Sequence, residues 1–166
     1  MYLLDTNIFI NFYDRYYRMN LFPTFWKKLV TILNSCVEIP EIILSETYQS
    51  PEFKEWIGKH FQKTLLDHRA FSQDWLQVLH HIQNSSFYKD EALSSEKGWA
   101  NDKIADPWLI AIAKSQGFTI VTEELRNPSL NAKNPSKNAK IPDVCDQLGI
   151  RCISMNTFFE EIHLNV

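Results

Sequence analysis

The sequence predicts an α/β protein with a parallel sheet covered by helices on both faces. Three observations carry that expectation. Short apolar runs alternate with longer segments of helical periodicity, as in strands joined by crossover helices. The stretch ADPWLIAIAKSQG has Pro107 near its start and Gly117 just past its end, and it runs directly into the strand-like FTIVT. The same order recurs further on, where a proline-opened helix over 142–148 passes through Gly149 into RCIS.

Residues 2–5 read as a short buried strand ending at Asp5. Pro23 fits the first turn of a helix carrying Phe25, Trp26, Leu29, Val30 and Leu33 at helical spacing. Val37-Glu38-Ile39 is a brief strand, and Pro40 opens another helix with Ile43 and Tyr48 on its buried stripe. Helical patterns over 51–61 and 67–83 are rich in Phe, Trp and Leu, whereas 85–102 has weak periodicity and reads as a mobile connection. Residues 126–140, RNPSLNAKNPSKNAK, form a long irregular loop with four basic residues and no acid. Thr157 and Glu160 have capping-box spacing for a short last helix. No repeat or linker interrupts the pattern, so 1–166 is expected to be a single domain.

At 166 residues the chain can bury a substantial core, and 45% hydrophobic with 22% charged residues is an ordinary globular composition. No apolar run approaches the ~20 residues that span a bilayer, and no basic segment precedes an apolar one at the N-terminus. Cys36, Cys145 and Cys152 are widely spaced, with no CxxC, and read as reduced thiols of a cytoplasmic protein. Five histidines give no HExxH, which favours surface or core roles. A net charge of −3 argues against a surface coated in positive charge for nucleic acid. It leaves room for a local patch, and Arg126, Lys133, Lys137 and Lys140 supply one.

The opening MYLLDTNIFI sets a carboxylate between two apolar runs. A buried carboxylate must be hydrogen-bonded, paired or bound to a cation. Functional groups of parallel α/β sheets gather beyond the carboxyl ends of the strands. Asp5 ends the first strand, Glu123 and Glu124 end FTIVT, and Asp106 opens the helix leading into it. Each has an ordinary reading: Asp5 and Asp106 as helix N-caps, a helical Glu46 as solvated, Glu123-Glu124 as an exposed turn. Together they form a cluster that repels itself unless something positive sits within it. Carboxylate oxygens hold hard cations such as Mg²⁺ or Mn²⁺, alone or in pairs roughly 3.5–4 Å apart, and such ions activate water against phosphate.

LLDTNIFI, Glu46 in ILSETY, and ADPWLIAIAKSQGFTIVTEE together resemble the PIN-domain family of metal-dependent ribonucleases over residues 1–124. KIPDVCDQLGIRCI, residues 140–153, is similar to a prokaryotic branch of PIN-like proteins. The resemblance implies a PIN-like three-layer α/β/α sandwich, Mg²⁺ or Mn²⁺ in an acidic pocket, and endonucleolytic cleavage of RNA. Many members are toxins held inactive by a small antitoxin protein. By position it makes Asp5, Glu46, Asp106 and Glu124 the catalytic acids, with Glu124 before Glu123 as the fourth. It adds Asp143 as a further metal candidate. Thr6, Asn7 and Thr122 would orient the carboxylates. Arg126, Lys133, Lys137 and Lys140 would grip the strand, and Tyr16, Tyr17 or Trp99, if exposed, would stack on bases.

The family usually has Asp or Asn-Asp just after the threonine, where this chain has Glu123-Glu124 after Thr122, and that departure leaves a non-catalytic PIN-like binding module as an alternative. An aspartyl-phosphate phosphatase with Asp5 as nucleophile is a second, but those enzymes carry another Asp where Asn7 stands. Phe53, Trp56, Phe61, Phe71 and Trp75 serve chiefly as core, with part of their surface open to an antitoxin or a second copy of the chain.

Overall fold

The computed structural model describes residues 1–46 and 50–165, and Tyr48 lies outside them. Among the described residues, β1 (Tyr2–Leu4), β2 (Val37–Glu38), β3 (Thr119–Val121) and β4 (Cys152–Ile153) form one sheet in the order β2-β1-β3-β4. All its pairings are parallel, with Leu3 opposite both Glu38 and Ile120, and Val121 opposite both Leu4 and Ile153. Leu3, Leu4, Ile120 and Val121 are fully buried, as central strands covered on both faces require.

The helices are α1 (Thr6–Ile10), which widens into a π-helical turn over Asn11–Tyr16, then α2 (Pro23–Cys36), α3 (Glu41–Glu46) and α4 (Pro51–His60). They continue as α5 (Ser72–Asn84), α6 (Glu91–Ser94), α7 (Ala105–Gln116), α8 (Ile141–Leu148) and α9 (Met155–Glu161). The step from β1 to β2 and the return from β2 to β3 run in opposite directions across the sheet. Parallel crossovers are right-handed, so the two sets of connecting helices cover opposite faces. On one face the rings of Phe12, Phe25 and Phe159 bring the π-helical turn, α2 and α9 together. On the other, α7 packs on α5 and α8. Nearly every residue of α7 from Ala105 to Ala113 is buried, the mark of a helix enclosed all round.

The starts and stops follow the punctuation of the sequence. Pro23, Pro51 and Pro142 sit in first turns, and Gly117 and Gly149 end α7 and α8 in the left-handed conformation, at φ 69° and 68°. Three expectations need correction. The helix over 67–83 opens as a 3₁₀ turn, His68–Phe71, with Asp67 accepting from the Arg69 N–H. The 85–102 segment contains α6 and buries Tyr88 and Trp99, and it pairs with Ser136 through Ser136 N–H to Phe87 and Lys89 N–H to Ser136, both 2.8 Å. Its weak periodicity reflects tight turns around a four-residue helix.

The third concerns α9, which is capped by Ser154 rather than Thr157: the Ser154 hydroxyl accepts from the Thr157 N–H at 3.2 Å. Replacing Ser154 by Ala should cost about 1 kcal/mol. For a chain of this size a thermal melt should fall by about 2–4 °C. An unchanged melting temperature would show that the cap contributes nothing. Among the described residues no helix is long and apolar enough to cross a membrane.

Candidate metal centre

In the order β2-β1-β3-β4 the chain leaves β1 towards one side of the sheet and β3 towards the other. The crevice of such a sheet opens where the winding reverses, between β1 and β3. Asp5 follows β1 and Thr122-Glu123-Glu124 follows β3. The Asp5 N–H continues the ladder to the Val121 carbonyl at 3.0 Å, which fixes the backbone of both strands at this edge.

Asp5 is 4% exposed. It occupies the N-cap position of α1 without making a side-chain cap. Its Oδ2 instead accepts from the Thr122 hydroxyl at 2.7 Å and from Asn7 Nδ2. Asn7 Nδ2 also donates to Thr122 Oγ1 at 3.1 Å, and the Glu124 N–H donates to the same oxygen at 3.1 Å. Thr122 is thus the joint between the two strand ends. Glu46, at the end of α3, accepts from the Thr6 hydroxyl at 2.6 Å and from the Ala105 N–H at 2.9 Å, tying α3 to the starts of α1 and α7. Asp106 lies in the first turn of α7, where Ile104 holds the cap position, and the Trp99 side chain is placed to favour its ionised form.

These positions set the electrostatics. Burial, reinforced by the facing Glu124 and Glu46, pushes the Asp5 carboxyl up to about 7, against the pull of the Thr122 hydrogen bond. Burial pushes Asp106 well above the usual carboxylate range as well, reinforced by Asp5, Glu124 and Glu46. The charges bearing most on both are other carboxylates.

The remaining candidates go elsewhere. Glu123 is exposed and accepts from the Met155 N–H at 2.7 Å, at the start of α9, while Glu124 accepts from the Ile141 N–H at 2.8 Å, at the start of α8. Of the pair, Glu124 is the one that faces Asp5 and Asp106. Asp143 is buried and holds the Asn127 N–H between its two oxygens at 3.1 Å each, and the charges around it are Asp146, Lys140 and Arg126. It secures the entrance to the 126–140 loop. Arg126 forms a two-pronged pair with Asp146 at 2.6 and 2.9 Å, and Lys137 lies 3.6 Å from Glu91. Lys133 and Lys140 make no ion pair with a described residue. Trp99 and Phe53 are core, Tyr17 stacks on Phe25 at 4.1 Å, and Tyr16 is exposed. Trp56, Phe61, Phe71 and Trp75 pack partly buried against the core.

One group escaped the sequence reading. Ligand atoms of Glu41, Asp67 and His68 all lie within 4.8 Å of one another, close enough to hold a metal ion. Among the described residues no three of Asp5, Glu46, Asp106 and Glu124 converge so tightly. The group forms because the segment ahead of His68 runs beside the start of α3, with Leu66 N–H to Ile39 and Glu41 N–H to Leu66 at 2.9 and 3.0 Å. Adjacent Asp and His in the sequence hint at ligands, but nothing in it brings Glu41 to them.

Fold and edge define a parallel α/β protein with a buried aspartate and partly buried acids around it at the switch point of its sheet. The chain belongs to the family described as Domain of unknown function (DUF4411), which matches residues 2–166. No match was found among the curated proteins or the solved structures.

Proposed function

We propose that the protein is a metal-dependent endoribonuclease of PIN-like type, and the toxin of a toxin–antitoxin pair. The observation carrying this reading is the set of Asp5, Asp106, Glu46 and Glu124 at the β1–β3 crevice, with Asp5 and Asp106 pushed towards protonation by burial and by neighbouring acids. Such a set is costly unless a cation shares it. The donors fit Mg²⁺ or Mn²⁺ in kind, since they are hard carboxylate oxygens. When bound, the ion would supply an activated water and charge neutralisation at a phosphodiester.

The chain's own residues do the positioning. Thr122 and Asn7 fix the Asp5 carboxylate, Thr6 and the Ala105 N–H fix Glu46, and the Ile141 N–H fixes one oxygen of Glu124. Lys133 and Lys140 provide unpaired positive charge for the backbone of the strand, and Tyr16 an exposed ring. The antitoxin enters through the resemblance to toxin members of the PIN family.

A PIN-like binding module is the second reading, favoured by one observation: Glu46 and Glu124 already serve the N-termini of α7 and α8. Cleavage of a panel of structured RNAs in Mn²⁺, Mg²⁺ or EDTA separates the two. Cutting that needs the metal and disappears in Asp5→Asn supports the nuclease. No cutting, together with no heat of metal binding by calorimetry, supports the module. Glu124→Gln should lose nearly all cleavage, whereas Glu123→Gln should keep it, since Glu123 faces α9. The reverse order would move the fourth acid to Glu123.

A further inference from the structure

A cleft of about 1070 Å³ opens beside the acids, with Glu46, His68, Arg69, Trp75, Lys103 and Trp108 in its wall. Its aromatic side is built on Trp108. Trp75 lies parallel to Trp108, with ring centroids 4.9 Å apart and 14° between planes, and the His68 ring meets it edge-on at 4.9 Å. The Trp108 indole N–H donates to the Asp102 carbonyl at 3.0 Å. The other two rings differ. Trp75 Nε1 and His68 Nδ1 are both buried and have no hydrogen-bond partner among the described residues, and His68 is only 8% exposed.

Buried polar atoms nearly always have a partner, so two orphans in one wall call for an explanation. An indole N–H can only donate, whereas a neutral imidazole offers one donor and one acceptor. Arg69 and Lys103 are exposed and form no ion pair with a described residue, while Glu46 and Asp102 in the same wall and Glu41 and Asp67 beside His68 offset their charge. Glu46 belongs to both the cleft and the acid cluster, so a ligand in the cleft would run on to the acids. Flat aromatic walls with unsatisfied edge groups, next to a phosphate-handling site, are the chemistry of an unpaired base.

We propose that this cleft is a nucleobase subsite, taking one unpaired base of an RNA strand whose phosphate lies at the acids. The base packs against Trp75, the half-buried ring of the wall, with Arg69 and Lys103 beside the adjoining phosphate; Trp75 Nε1 and His68 Nδ1, which present no surface in the unbound chain, reach its polar edge only when the wall opens. The inference rests on the nuclease reading, and its test must fail separately from it.

The probe is a short single-stranded RNA with 2-aminopurine replacing one base at successive positions, added to the Asp5→Asn chain so that the strand stays whole. The expected result is quenching at one position, with binding about tenfold weaker in Trp75→Phe, which keeps a ring but loses the N–H. Arg69→Ala combined with Lys103→Ala, away from the packed rings, should also weaken binding and flatten its salt dependence. Melting curves of each variant confirm that it is folded. Cleavage by the chain with native Asp5 is measured in parallel in Mn²⁺. Metal-dependent cleavage with RNA affinity unchanged in both variants would overturn the subsite and leave the nuclease standing. Absence of both cleavage and RNA binding would overturn the two together.

Discussion

Asp5→Asn is expected to abolish metal-dependent cleavage while making the metal-free protein harder to melt at neutral pH. The loss should be at least about 100-fold, because even residues that merely support a metal ligand typically cost 10–100-fold when changed. The gain in stability has a separate origin. Asp5 is buried among Glu46, Glu124 and Asp106, so ionising it in the metal-free chain is unfavourable. An asparagine carbonyl still accepts from Thr122 and Asn7, so the hydrogen bonds survive and only the charge is lost. Activity without cleavage loss would remove Asp5 from the mechanism. Inactivity with a lower melting temperature would show that the mutation damages the fold.

The second large effect is an inverted pH dependence of stability. Asp5 titrates near 3.8 when unfolded and near 7 when folded, so between these values the folded chain binds the proton more tightly. Its contribution is complete below about pH 4 and is lost as pH rises through about 7, the opposite of a salt-bridged aspartate. Asp106 and Asp143, also raised, act in the same direction. His68, lowered by burial, opposes them near its ordinary value of 6.5. Exposed Glu161, held down to about 2 by Arg151 and Tyr2, matters only at more acid pH.

The clean quantity is therefore the difference in melting temperature between the native chain and Asp5→Asn, followed from pH 5 to 8 in EDTA. At about 1.4 kcal/mol per unit of pKa, that difference should grow by a few kcal/mol, or on the order of 5–10 °C. A flat difference would refute the buried charge. Adding Mn²⁺ should raise the melting temperature of the native chain at pH 8 far more than at pH 5, because a cation binding only the folded state stabilises it and competes with protons for the same oxygens.

Much of this arrangement was legible in the sequence for local reasons. Pro107 and Gly117 bound α7 because proline fits a first turn and glycine accepts a positive φ, and neither needs a distant contact. Asp5 could be singled out because a carboxylate between LL and IFI is improbable on burial alone. What escaped was set by partners far along the chain. Glu123 and Glu124 look alike in sequence and diverge only because α9 starts beside one and α8 beside the other. Asp143 reads as a helix-start acid, and only the fold reveals the Asn127 N–H it holds. Arg126 reads as free charge until Asp146, one turn along α8, is brought opposite it. His68 and Trp75 carry no pattern of their own, since an orphaned nitrogen exists only once the core around it has formed.

The three glutamates at the carboxyl edge each hold the first amide of a helix: Glu46 that of α7, Glu124 that of α8, Glu123 that of α9. Alanine scanning will therefore mislead here, because deleting the side chain removes a strut and a charge in one stroke. A screen for lost function would score a collapsed chain and an inert one identically at Glu46 or Glu124. Glutamine keeps the carbonyl that the helix needs and discards the negative charge, and it is the substitution by which chemistry and architecture can be told apart in this protein.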